Sequence, residues 1–205
     1  MSYTMNNLIQ NALQTARSYP AYRSHLTDLL AKGLTTGPNQ GEFYLKIANL
    51  NQRRMDRLDR RTQLTSELTE AVGSLKKSYI LLVLTEGWCG DAAQILPVLN
   101  KAAEASNKLD LQLIFRDEHL DLMDLYLTDN GRSIPKVLVL DAATKEVVTH
   151  WGPRPAHAQK LSMDYKYHPE PKPTYEAHHM ELHAWYTKDK TVATQEELAA
   201  LFADL

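Results

Sequence analysis

Ser78-Tyr-Ile-Leu-Leu-Val-Leu-Thr-Glu-Gly-Trp-Cys-Gly-Asp-Ala-Ala93 is the stretch that decides how this chain folds. Residues 80–84 are apolar at every position, the pattern of a strand covered on both faces. A glycine-bearing turn follows, and residues 91–106 (DAAQILPVLNKAAEAS) have helical composition. The stretch thus predicts a buried strand that delivers Cys89, the single cysteine, to the start of a helix. Pro97 lies inside that helical pattern and predicts a kink, because it removes a backbone donor and crowds the preceding turn.

Downstream, Leu111–Phe115 reads as a second strand. Leu120, Met123, Leu125 and Leu127 read as a short helix closed by Asn130-Gly131. Pro135 introduces a third strand, Val137–Leu140, and the turn Asp141–Lys145 leads into Val147–Trp151 as its antiparallel partner. A helix after Pro155 runs through Lys160 and Tyr165, and His168–Pro173 reads as a stiff connector. Two helices follow: one from about Thr174 to Tyr186, and one announced by Thr194 and Glu197 as a capping box.

Upstream of residue 78 the period is helical. Leu8, Ile9, Ala12, Leu13 and Ala16 form one set, and Tyr22, Leu26, Leu29 and Leu30 a second that ends at Gly33. Phe43, Ile47, Leu50, Met55 and Leu58 form a third, continued by Leu64, Leu68, Val72 and Leu75. The Arg/Asp-rich run 51–61 reads as a solvated helix face with ion pairs along it. These patterns divide the chain into an N-terminal helical extension (1–75), an α/β core (76–166) and a C-terminal helical extension (167–205). The core order is βαβαββα, a central mixed sheet flanked by helices.

The composition narrows the function classes. A net charge of −2 over 205 residues gives no electrostatic case for nucleic acid or an anionic membrane as the main partner. The apolar run at 80–84 is too short to cross a bilayer. The N-terminal residues lack the basic and apolar regions of a secretion signal. A single cysteine excludes an internal disulfide framework, so the expected location is the reducing cytoplasm.

Trp88-Cys-Gly-Asp-Ala92 and Ile134-Pro135, at this spacing, resemble the thioredoxin superfamily, whose members place Trp-Cys-x-x-Cys after the first core strand and a cis-proline before the third. Gly152 falls where those proteins have a glycine near the active-site surface. With Gly131-Arg-Ser-Ile-Pro-Lys136 and Trp151-Gly-Pro-Arg-Pro155, the motif resembles a little-characterised bacterial thioredoxin-like family with a helical N-terminal extension. The resemblance covers residues 75–165 and implies a thioredoxin-like fold. It also implies a substrate groove formed by Trp88, Gly90, Asp91, Arg132, Ser133, Ile134, Pro135 and Gly152 around a nucleophilic Cys89.

The chain departs from that family where the chemistry matters. Ala92 stands at the position of the resolving cysteine, and Val83 at that of the buried acid that assists it. A mixed disulfide on Cys89 has no internal thiol to expel it and must be resolved from outside. This excludes a dithiol reductase and leaves monothiol exchange or redox sensing, with glutathione or a protein thiol as partner. A helix N-terminus favours thiolate, so Cys89 is expected to fall modestly below the ~8.5 of a free thiol, with Asp91 opposing the shift and competing for the same N–H groups. Glu86 is expected to be wetter than a core acid, and Arg132 to bind a substrate carboxylate or to hold Asp129 or Asp91.

The competing expectation is a non-catalytic interaction module, with dimerisation through the N-terminal helices. A glutathione-supported iron–sulfur site is weaker still, because this is not the motif of the monothiol glutaredoxins. No resident cofactor or metal is expected. His179 and His183 share a helix face with His178 adjacent, but no further ligand motif accompanies them, so they read as interface histidines.

Overall fold

The computed structural model describes residues 2–205, with side chains from Met5 onward. Four helices precede the first strand: α1 (Ser2–Thr15), α2 (Tyr19–Ala31), α3 (Glu42–Arg61) and α4 (Ser66–Ser74). Then come β1 (Tyr79–Thr85), α5 (Ala92–Glu104), β2 (Leu109–Phe115), α6 (Leu120–Met123), β3 (Lys136–Asp141), β4 (Val147–Trp151) and α7 (Ala156–Lys166). Helices α8 (Tyr175–Asp189) and α9 (Val192–Ala203) close the chain.

The sheet order is β2-β1-β3-β4, with β2 parallel to β1 and the other neighbours antiparallel. This is the α/β architecture expected of the βαβαββα order. Strand β1 is central, and each of its residues is buried, which explains its unbroken apolar run. Strand β4 lies at one edge with alternating burial. At the other edge the α1–α2 linker covers β2: the amides of Arg17 and Leu113 each donate to the other's carbonyl at 2.9 and 2.8 Å.

The helical segments do not form a separate unit. Ile9, Tyr22, Met55 and Leu68 share one apolar core with β1, α5 and Phe202 of α9. Helix α3 buries Ala48, Asn51, Met55 and Leu58, a run at i, i+3, i+7, i+10. The face differs from the expected one, for Phe43 and Leu50 are about half exposed. Two acids of its charged run, Asp56 and Asp59, pair with Arg23 of α2 instead of along their own helix.

Several boundaries also differ from expectation. The helical pattern breaks between α3 and α4, where Thr65 caps the new helix by accepting from the Leu68 amide at 3.2 Å. Helix α6 stops at Met123, leaving Leu125 and Leu127 exposed. Thr194 is buried inside α9 and caps nothing. Its partner in the expected box, Glu197, accepts instead from Trp151 Nε1 at 2.8 Å and from the Ala156 amide at 2.6 Å. These donors tie α9 to β4 and to the start of α7, and they satisfy an orphan N–H of a different helix.

Candidate functional site

Strand β1 ends at Thr85, and the turn that follows is held from three sides. Thr36 Oγ1 accepts from the Gly87 amide at 2.9 Å, Asn51 Nδ2 donates to the Gly87 carbonyl at 3.0 Å, and the Cys89 amide donates to the Glu86 carbonyl at 3.0 Å. Asn51 is fully buried on α3, so the N-terminal helical segment positions the cysteine turn directly. Sequence periodicity could not reveal this, because a buried polar residue on an apolar helix face looks like a break in the pattern.

Cys89 is only 7 % exposed. Its thiol donates to the Ile134 carbonyl at 3.2 Å, and its sulfur accepts from the Ala92 amide at 3.4 Å. The Ile134–Pro135 peptide is cis. Gly152, at φ +104, lies behind the proline: a Cβ there would meet the Pro135 carbonyl oxygen at 2.4 Å. Pro135 and Gly152 therefore back the loop, while Arg132, Ser133 and Ile134 reach the groove.

The expected activation of Cys89 is reversed. Burial pushes the thiol up to about 12, the Asp91 charge raises it further, and the Ala92 N–H and Arg154 only partly oppose them. The helix N-terminus does reach the sulfur, but desolvation outweighs it. Asp91 also acts differently from expectation. It makes no cap hydrogen bond, and binds Arg154 at 2.7 Å and the Tyr186 hydroxyl at 2.8 Å. A buried carboxylate gains more from these charge-assisted partners than from competing for helix amides.

Two more charged side chains differ from expectation. Glu86 is fully buried, not wet; its Oε1 accepts the Asp117 amide at 3.0 Å, and burial lifts its carboxyl above the usual range. Arg132 holds neither Asp129 nor Asp91, but grips Asp124 through two bonds of 2.6 and 2.8 Å. Asp129 pairs with Lys166.

A groove of about 780 Å³ opens over Cys89. Helix α3 forms one wall with Tyr44, Ile47 and Arg54, and α8 the other with His178, His179 and His183. Trp88 forms part of the floor, with Tyr44 edge-on at 5.8 Å and the Arg116 guanidinium 5.1 Å from its ring centre. His178 stacks on Tyr165 of α7 at 4.2 Å. His183 is pushed down to about 4 by burial, with Arg54 and His179 adding to it, so it is neutral near pH 7. Among the described residues, no three His, Cys, Asp or Glu side chains are placed to hold a metal ion.

A family model described as Thioredoxin (Thioredoxin_9) matches residues 37–166. The chain belongs to that family, within the thioredoxin superfamily. The match begins before α3, well upstream of residue 75, in keeping with the role of Asn51 in holding the cysteine turn. The fold is similar to the crystal structure of an HIV epitope scaffold, at a TM-score of 0.65 and 18 % identity, covering 96 % of this chain and 98 % of that one. It is similar also to a protein of unknown function from Pseudomonas aeruginosa, at a TM-score of 0.57 and 20 % identity, covering 90 % and 96 %. Among proteins with curated descriptions, none matches the chain. No helix in the described residues is long and apolar enough to cross a membrane.

Within this family the chain is a single-cysteine member. Ala92, buried at the first residue of α5, and Val83, buried in the middle of β1, supply neither a second thiol nor an acid. Asn51, Arg54 and Arg154 were given no role from the sequence. For Asn51 and Arg54 the signal that could have drawn attention is a polar residue on or beside the core-facing side of α3; Arg154 lies in the loop before α7 and offers no such pattern.

Proposed function

We propose that this protein is a monothiol member of its family with a latent nucleophile. Cys89 forms a mixed disulfide with glutathione or a protein thiol seated in the groove between α3 and α8. The observation that carries this reading is the position of the Cys89 sulfur: at the floor of a large groove and within 3.2 Å of the Ile134 carbonyl, in the loop that would receive an extended thiol peptide.

The exchange balances without a cofactor. Cys89 loses its proton and attacks one sulfur of a disulfide R–S–S–R. The S–S bond breaks, the leaving thiolate takes up a proton, and Cys89–S–S–R forms. A second external thiol then attacks the mixed disulfide and returns Cys89 to the thiol. The buried thiol makes the first step slow until a ligand or a shift of α8 alters its surroundings. A lone unpaired cysteine fits a reducing compartment such as the cytoplasm.

The second reading is a ligand-binding module with no covalent step, favoured by the raised Cys89 thiol. Intact mass after exposure to oxidised glutathione separates the two. A single glutathione adduct, absent in Cys89→Ala, supports exchange, whereas an unmodified chain leaves the binding module.

A further inference from the structure

The groove over Cys89 has a surplus of donors. Ten buried side-chain polar atoms lack a hydrogen-bond partner among the described residues, and five of them belong to residues that line this groove, each covered from solvent: Trp88 Nε1, Arg154 Nε, Ser162 Oγ, His178 Nδ1 and His183 Nδ1. Two are donors only, and the hydroxyl and both imidazoles can donate. His178 and Ser162 are themselves more than nine-tenths buried. Unpaired donors concentrated in the walls of one groove would be satisfied by an acceptor-rich ligand that turns these side chains toward it.

The charges lining the groove are unbalanced in the same direction. Arg116, Arg132, Arg154 and Lys166 each have a carboxylate partner, in Asp117, Asp124, Asp91 and Asp129. Arg54 has no ion-pair partner among the described residues, nor do the exposed Lys46 and Glu176 at the groove's rim, and Arg54 donates only to Asn51 Oδ1 at 3.0 Å. That bond fixes it, because Asn51 is itself held by the Gly87 carbonyl. Burial and the neighbouring Arg57 work against its charge and Asp91 only partly supports it, leaving a cost that a bound anion would offset.

The position of this guanidinium is specific. A Cβ built on Gly90, the residue after the cysteine, would meet His183 Cε1 at 3.2 Å and Arg54 Nη1 at 3.6 Å. Arg54 from α3 and His183 from α8 therefore converge from opposite walls on Gly90, the residue next to the cysteine. The groove volume lies within the range of small-molecule sites, ~300–1,000 Å³.

We propose that the groove takes a small thiol compound bearing a free carboxylate, and that Arg54 and His183 seat the carboxylate while its sulfur faces Cys89. The word "thiol" rests on the mixed-disulfide reading above; the carboxylate seat does not. The guanidinium supplies a fixed bidentate donor, and the neutral imidazole adds an N–H without a second charge.

The test uses S-methylglutathione, which cannot form a disulfide, and its diethyl ester, which lacks both carboxylates. Calorimetric titration of the full chain should give saturable binding of the acid. Binding should weaken about tenfold or more in Arg54→Gln, as expected for loss of a charge-assisted pair. The ester should show the same loss on the unaltered chain, which keeps the result independent of how the variant folds. Arg53→Gln, on the exposed side of α3, should bind as the unaltered chain does. Equal affinity for acid and ester, wild-type affinity in Arg54→Gln, or no binding at millimolar acid would overturn the seat. Acid binding without a glutathione adduct on Cys89 would support the seat and remove the mixed-disulfide reading alone.

Discussion

The Cys89 thiol donates its proton to the Ile134 carbonyl oxygen across 3.2 Å, so the nucleophile and the loop that would receive a substrate backbone occupy each other. A thiolate could not make this bond, since it has no proton to give. The resting geometry therefore belongs to the protonated thiol. Any ligand that takes over the Ile134 carbonyl also removes one of the contacts that favour the proton.

The thiol should leave a mark on alkaline stability. A free cysteine titrates near ~8.5, whereas burial pushes Cys89 up to about 12. Below the lower value both states carry the proton, and the contribution of the buried thiol to stability is fully present. Between the two values only the unfolded chain releases it, so wild-type stability falls by up to about 1.4 kcal/mol per pH unit relative to Cys89→Ala. Denaturant unfolding at pH 7.5 and at 9.5 checks this. A wild-type-minus-variant difference that does not shrink at the higher pH would show that the thiol is not held protonated.

Tyr186→Phe should loosen the α8 wall. The hydroxyl gives Asp91 a 2.8 Å bond inside the fold, and a bond to a buried carboxylate is worth about 1.5–3 kcal/mol. Helix α8 otherwise docks through a small apolar cluster of Ala158, Leu182 and Tyr186 that is separate from the main core. The variant should lose about 1–2 kcal/mol of stability and alkylate several-fold faster at Cys89 at pH 8. Lost stability with an unchanged alkylation rate would mean that α8 does not limit access.

Gly152→Ala should be among the most damaging single changes in the core. The residue sits at φ +104, and a methyl group would meet the Pro135 carbonyl oxygen at 2.4 Å. Backbone strain and a contact with rigid neighbours add together, for a loss of more than about 2 kcal/mol. Thermal unfolding checks it. A variant that melts with the wild type would show that the loop yields freely at this point.

The chain should weaken in mild acid. His183 is pushed down to about 4, first by burial and then by Arg54. Its unfolded form takes up a proton near pH 6.5. The stability that depends on its neutrality is thus present above pH 6.5 and lost as pH falls toward 4. His178 and His179 are lowered in the same direction, burial again being the main cause. Melting temperatures of wild type and His183→Gln should diverge at pH 7 and converge by pH 4.5; curves that stay parallel would contradict this.

How much was legible beforehand follows from what periodicity can carry. The unbroken apolar run of β1, the breaker-bounded hairpin and the Trp88–Ala92 motif led to the fold and located the cysteine. The chemistry of the cysteine was not legible, because the helix terminus is local but burial is tertiary. The thiol is covered by Ile134, 45 residues further along the chain, and its neighbour Asp91 by Tyr186, 95 residues further along. Asn51 and Arg54 were missed for a related reason. They lie on a helix whose half-exposed apolar stripe, Phe43 and Leu50, looked like the buried face. The capping-box pattern at Thr194 and Glu197 failed because Glu197 had donors elsewhere in the fold.

The central claim is that Cys89 is latent, not inert, and one measurement tests it most directly. Wild-type protein and Tyr186→Phe are held with excess oxidised glutathione at pH 7.5, and their intact masses are followed over time. The account predicts one glutathione adduct on Cys89 in both, forming slowly in the wild type and several-fold faster in the variant, and reversed by an added thiol. No adduct in either protein would contradict it, and would leave a thioredoxin-fold binding module whose cysteine serves only the packing beneath its groove.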